Sequence, residues 1–408
     1  MYQFDQSLEL FNRASKVIPG GIYGHVTPAT VIPGASPYYA SKAEGAYYWD
    51  ADNNKYIDFM CGYGPTILGY NHPEIEEAAR EQKLKGSVFN HPTDKMVELA
   101  EVLTERINFA DWAVFAKNGS DLTTWAVQVA RETTGNKGIL KAKGSYHGVD
   151  AWCSPGKGGI IDEDLANVYH FEWNDLQNFE EEFQKNLQNL ACVILTPYHH
   201  PVFQDNLLAD SDFLPNIQKI CNKHGVVFIL DDVRAGFRLH ENGSHEYFNF
   251  QPDISVYCKA LGNGHAISAA VGRDNLKVPA SKVFLTGSYW NDAVSMAAAI
   301  QCLKIVQRDK VPDIVEKLGS QLKAGLEKTA LKHGFELKIT GPVSMPYLRF
   351  KDEDNLYKIQ EFCKICISKG AFFHPHHNWF LSAAHKEKEI LDAIQIADFA
   401  FAKMKPNE

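Results

Sequence analysis

A chain of 408 residues, 45% hydrophobic and 22% charged, is long enough to bury a large core in two or three domains. Its formal net charge of −9, with lysines and arginines dispersed, excludes a general nucleic-acid or membrane-surface binder, which needs a basic excess to meet phosphates. Eight cysteines spread among apolar neighbours do not make a disulfide framework and suit reduced core thiols.

The N-terminal MYQFDQSLELFNRASKVIPGG is amphipathic and carries acidic residues, which predicts a short helix at about 5–17. It lacks the basic start, apolar centre and small-residue cleavage site of a signal peptide, and no apolar run reaches membrane-spanning length, so a cytoplasmic protein is expected. Residues up to about 60 are rich in Gly, Pro and Tyr and form the first segment of a small domain. Residues 61–310 form a large domain and 311–408 a smaller α+β domain that completes the first.

From about residue 93 helices and buried strands alternate. A helix at 93–107 opens on Thr93 as N-cap. Strands follow at 112–116 (WAVFA), 138–142, 191–195, 226–230 (VVFIL), 253–258 (DISVYC) and 266–272, with helices at about 120–133, 211–223 and 288–309. Short apolar strands alternating with helices predict an α/β fold with a mostly parallel sheet. In such sheets ligands gather at the carboxyl ends of the strands.

Three strand ends carry polar groups. Lys117-Asn118-Gly119-Ser120-Asp121 follows the first strand and enters a helix. Free amides and a hydroxyl there suit a phosphate, although an ordinary serine cap reads the same way. Asp231 and Asp232 end the VVFIL strand, where two carboxylates are costly without a cation or donors, unless they simply face water. Lys259 follows DISVYC and precedes Ala-Leu-Gly-Asn-Gly. Desolvation would lower its pKa and make a neutral, nucleophilic amine, whereas a lone lysine here would more often snorkel to the surface. Together, a phosphate cradle, a buried carboxylate and a lysine match what pyridoxal phosphate requires.

At this point the sequence resembles the class III, fold-type I aminotransferases, in particular the branch containing glutamate-1-semialdehyde 2,1-aminomutase. The resemblance runs from PGG (19–21) and GAYYWDADNNKYIDF (45–59) through GYGPTILGYNHP (62–73), NGSDLTTWAVQVAR (118–131) and KGSYHG (143–148). It continues with DDVRAGFR (231–238), PDISVYCKALGNG (252–264) and SMAAAI (295–300) to SAAH (382–385). It implies that Lys259 is the Schiff-base lysine and Asp231 the partner of the pyridine nitrogen. Gly119 and Ser120 match the phosphate loop, and Tyr146 and Val233 the groups on the two faces of the cofactor ring. Ser288, or Thr286 if the alignment slips by two, matches a residue that reaches the phosphate of the neighbouring subunit, so a homodimer is implied.

Several positions depart from the family pattern. The usual Glu-Pro reads Thr196-Pro197. The aminomutase arginine for the substrate carboxylate reads Thr27, and a tryptophan beside the substrate reads Tyr63. Arg234 stands where an apolar or amide residue is usual, and supplies either an anion contact or a structural ion pair. The stretch between Trp152 and Trp173 is short for an aminomutase gating loop. His199-His200 and His374, His376 and His377 lack the spacing of a zinc motif, and Cys363 and Cys366 share a helical periodicity, so no metal is expected. The expected activity is transfer of an amino group from an amine or amino acid to an aldehyde or ketone. An intramolecular aminomutase is the alternative, and a catalytically silent homologue a third reading.

Overall fold

The computed structural model describes residues 2–24, 31–201 and 203–404 and divides into two compact units. The larger is Pro73–Pro312; the smaller joins Met1–His72 to Asp313–Glu408. The borders fall at 72/73 and 312/313, compared with 60/61 and 310/311 in the sequence reading. Among the described residues no helix is long and apolar enough to cross a membrane.

The larger unit is built on a seven-stranded sheet: β1 (Trp112–Ala116), β2 (Gly138–Ala142), β3 (Val168–Phe171), β4 (Leu190–Leu195), β5 (Val227–Asp231), β6 (Ile254–Tyr257) and β7 (Ser268–Gly272). Their order across the sheet is β1-β7-β6-β5-β4-β2-β3. Only β7 runs antiparallel to its neighbours, pairing with both β6 and β1. The α/β fold with a mostly parallel sheet is therefore as expected. Because β7 reverses the direction twice, β1 points the same way as β6, and six strands end at one edge.

The central strands read as continuous apolar runs because both of their faces are covered. All six residues of β4 are buried, as are all five of β5. Helix α1 (Asp94–Arg106) precedes β1, and α2 (Gly119–Thr134) follows it. On α2, Leu122, Trp125, Ala126 and Val129 recur at helical spacing and join the core with Ile139, Ile194 and Ile229. The helix stops at Gly135, whose φ of 73° is the left-handed cap that glycine accepts without strain. Helix α3 (Phe213–His224) precedes β5, and α4 (Ala293–Arg308) follows the sheet.

Three expectations shift. The helix foreseen at 288–309 begins at Ala293, because Asp292 is its N-cap: the carboxylate accepts from Val294 N at 3.2 Å and from the hydroxyls of Ser295 and Ser87 at 2.6 Å. The first helix ends at Ala14 rather than near 17. Edge strand β3 was not foreseen, since VYHF is short and shows no alternation.

The smaller unit has a four-stranded sheet in which three antiparallel strands, Ala40–Glu44, Tyr47–Asp50 and Lys55–Asp58, are joined by Ala371–Phe372, parallel to the third. Its helices Tyr357–Ile367 and Glu387–Lys403 pack through Phe362 and Phe401, with ring centroids 4.8 Å apart. Cys363 and Cys366 are buried free thiols on the first of these helices.

Candidate active site

The carboxyl edge of the larger unit's sheet gathers most of the expected residues. Asp231 is the last residue of β5 and is buried. Its Oδ2 lies 2.8 Å from Nδ1 of His147, and its Oδ1 accepts from Val233 N at 3.2 Å. A carboxylate can only accept, so Nδ1 of His147 carries the proton and Nε2 is left as an acceptor. Nε2 has no partner. The imidazole is buried and stacks on Trp152, 6.1 Å between centroids, while Thr123 Oγ1 donates to its backbone carbonyl at 2.7 Å. Burial pushes the His147 pKa down, against the pull of Asp231.

Sequence reasoning missed His147. Its only signal was its place beside Tyr146 in KGSYHG; the partner lies 84 residues further along the chain.

Asp232 turns elsewhere. It accepts from Ser244 N at 2.7 Å and Ser244 Oγ at 2.6 Å, and is more deeply buried than Asp231. Burial pushes its carboxyl up to about 7 despite both bonds. The two adjacent carboxylates thus serve different surroundings, and neither is the water-facing loop residue weighed above.

Lys259 leaves β6 through Cys258 and has a backbone φ of 37°, in the left-handed region that a lysine rarely adopts. Its ammonium is pushed down to about 7, first by burial and then by the charge of Arg234. The amine is therefore available in neutral form near neutral pH.

The phosphate-cradle residues open α2, where the first-turn amides have no partner within the helix. Asn118 is the N-cap, and its N–H donates to Asp121 Oδ2 at 2.8 Å. Ser120 Oγ accepts from Val149 N at 2.7 Å; its proton is directed toward Asp150 Oδ2 across a long 3.4 Å. Two glycines let the chain pack closely around the helix start. A Cβ at Gly119 would stand 2.7 Å from Val233 Cγ2, and one at Gly148 would stand 2.2 Å from Ser120 Oγ. Lys117 is structural: its ammonium donates to Ala266 O at 2.8 Å and pairs with Asp292 at 3.1 Å.

Tyr146 is half-buried after β2; burial raises its phenol pKa, as does Asp231, while Arg234 lowers it. Arg234 is half-buried and shares a hydrogen bond with the Tyr198 hydroxyl. His199 stacks on Trp173 at 5.4 Å and is pushed down to about 4 by burial. Ser288 and Thr286 are exposed on the stretch before α4, next to exposed Phe284 and Tyr289.

Two expected substrate residues are not in this unit. Tyr63 belongs to the smaller unit, with its ring 5.3 Å from His377 and 6.0 Å from His374, and Thr27 lies outside the described residues. Among the described residues no group of three or more His, Cys, Asp or Glu is arranged to hold a metal ion.

A flat, phosphorylated pyridine aldehyde suits this edge. The helix start at Gly119–Ser120 offers first-turn amides and a hydroxyl, a half-buried amine waits at Lys259, and Asp231 presents a buried carboxylate braced by His147.

Comparison with known proteins agrees. The family model of aminotransferase class-III matches residues 31–386. The chain is 41% identical to an aminopentol aminotransferase of Sphingopyxis macrogoltabida, over 97% of this chain and 93% of that protein. It is 34% identical to a 3-aminobutyryl-CoA aminotransferase of Cloacimonas acidaminovorans, over 98% and 97%. It superposes with a TM-score of 0.96 on the PLP internal aldimine form of the Sphingopyxis sp. MTA144 FumI protein, 40% identical, covering 98% of this chain and 96% of that one.

Proposed function

Since the chain belongs to the class-III aminotransferases and is a pyridoxal-phosphate-dependent enzyme, we propose that Lys259 holds its cofactor and that its amino donor carries no carboxylate on the amino-bearing carbon. The observation that carries the reading is one sheet edge that presents Lys259, Asp231 and the Gly119–Ser120 helix start together. The donor class rests on the two relatives, whose names describe an aminopentol and a 3-aminobutyryl thioester. In both, the amine stands away from any α-carboxylate.

When bound, pyridoxal phosphate supplies an electron sink for the carbon that loses a proton. The protein supplies the rest. Asp231 keeps a proton on the ring nitrogen, and His147 fixes the carboxylate's direction. Gly119 and Ser120 hold the phosphate with amides and a hydroxyl. Tyr146 and Val233 would flank the ring. Lys259 Nζ, whose pKa burial lowers to about 7, would take up the proton from the donor's amino-bearing carbon.

The enzyme acts as a homodimer in this reading, with Ser288 on an exposed stretch that also presents Phe284 and Tyr289 to a second copy. The proposed compartment is the cytoplasm, where free buried thiols stay reduced. Transfer to an external acceptor is favoured over intramolecular mutation, because Thr27 stands where the mutase has its carboxylate-binding arginine.

Borohydride reduction followed by peptide mapping should place the cofactor on Lys259; a label on another lysine sinks the assignment. A donor screen should then favour amines without an α-carboxylate over α-amino acids. Efficient isomerisation of glutamate semialdehyde to 5-aminolevulinate, with no amino transfer to an added carbonyl compound, would instead establish the mutase.

A further inference from the structure

Strand β2 carries a charge inside the core. Every residue of the strand is buried, Lys141 among them at 5% exposure. Its ammonium donates to Ser145 O at 3.1 Å and stands 6.0 Å from the centre of the Trp152 ring. Among the described residues no carboxylate forms an ion pair with it. A buried ammonium without a counter-charge is costly, so a strand that keeps one calls for a reason beyond the fold.

The reason lies in what the ammonium faces. Ser145 closes the turn after β2, its N–H and hydroxyl donating to Ala142 O at 3.2 and 2.7 Å, and leads directly into Tyr146 and His147. Lys141 reaches across this turn to hold it, and His147 stacks on the same Trp152 ring that the ammonium approaches. The titratable groups around the imidazole come from several elements. Asp231 ends β5, Lys141 lies in β2, His199 follows β4, and Cys153, beside Lys141 and Asp231, follows Trp152. Helix α2 contributes the neutral Thr123. Burial lowers the His147 pKa first, and the charge of Lys141 lowers it further, against the hydrogen bond and charge of Asp231. An imidazolium here would neutralise the Asp231 carboxylate, whereas a neutral ring leaves its charge whole.

We propose that Lys141 is a positioning residue: anchored on the Ser145 turn, it keeps a second proton off His147, so that Asp231 holds its full negative charge for the cofactor's ring nitrogen. The inference rests on the reading of Asp231 as the partner of that nitrogen. Lys141 acts through His147 and not on the reacting atoms. The buried charge that the fold would do better without thereby serves the charge at the end of β5.

The test follows His147 in the holoenzyme by nitrogen NMR of labelled histidine, its resonances assigned by their loss in His147→Asn. In the wild type the ring should stay neutral, with its proton on Nδ1, across the pH range of activity. Lys141→Met removes the charge at similar volume, and Lys141→Gln removes it while keeping a donor for Ser145 O. Both should fold, because a buried unpaired charge is lost. In each, protonation of His147 should move up by about one pH unit, the scale for removing one nearby charge in a protein interior. The acid limb of the single-turnover rate with a donor amine should move up with it. Lys141→Arg keeps the charge and should leave both close to the wild type. A His147 titration that the Met and Gln variants leave in place overturns the proposal, as does an Arg variant that shifts as they do. So does a titration that moves while the acid limb stays. A uniform loss of rate at every pH, with the limb in place, also overturns it and leaves Lys141 a residue of the fold. Failure of the Asp231 reading looks different, because Asp231→Ala would then turn over at a near-normal rate.

Discussion

Asp231 and Asp232 are the same residue type, adjacent in sequence and both buried, yet they live in different regions. Asp231 faces the sheet edge and meets an imidazole with a second, unpartnered nitrogen behind it. Asp232 faces inward and meets only the hydroxyl and backbone N–H of Ser244. Hydrogen bonds without a counter-charge do not outweigh desolvation, and burial carries Asp232 up to about 7. The contrast separates a carboxylate placed for a ligand from one placed for the fold, a distinction that burial alone would miss.

The largest expected effect lies at Lys259. Lys259→Ala should slow the single-turnover half-reaction by about 10³-fold or more, because no other amine at the edge moves the proton. Stopped-flow absorbance would show it, and a loss of only a few-fold would mean that the edge is not the reaction centre. Next, Asp231→Ala should slow proton abstraction on the order of 10²-fold, corresponding to a few kcal/mol of lost charge stabilisation. Near-normal turnover would erase the contrast between the two carboxylates. His147→Ala should weaken cofactor binding by about tenfold, the scale of one buried hydrogen bond to a charged group. Equilibrium dialysis against pyridoxal phosphate measures it, and unchanged affinity would show that Asp231 needs no brace.

The smallest effect on turnover belongs to Asp232→Asn, which keeps an acceptor for Ser244. Its signature is instead in stability. The folded-state pKa of about 7 lies above the ordinary carboxylate value, so the folded protein holds a proton that the unfolded chain releases. Stability therefore falls as pH rises from about 4 to about 7 and changes no further above that, by roughly 4 kcal/mol at most. Asp232→Asn should flatten this fall in urea titrations across that window. An unchanged profile would mean that Asp232 is ionised in the fold, like any exposed carboxylate.

Much of this could be read in the sequence, and the boundary is physical. Strands such as ACVIL and VFIL were legible because both faces are buried, which leaves an unbroken apolar run. Strand β3 was not, since VYHF is short and only partly buried, with no alternation to mark it. The start of α4 was misjudged because Asp292 stops the helix through contacts with Ser87 and Lys117, which lie 205 and 175 residues away. The same limit hid His147. A residue whose role is to meet another across the sheet edge announces itself only in three dimensions. The strand-end positions of Lys259, Asp231 and Gly119 needed no such knowledge, because the rule that ligands collect at carboxyl ends reads directly along the chain.

The backbone at Lys259 carries a last consequence. A lysine with φ of 37° is held in a conformation that costs about 1–3 kcal/mol and that glycine would accept freely. Durability and turnover therefore pull this one position in opposite directions. Laboratory selection for heat resistance alone should drift toward Lys259→Gly, a sturdier and inert protein, whereas selection that also scores product will hold the lysine and gather its gains elsewhere.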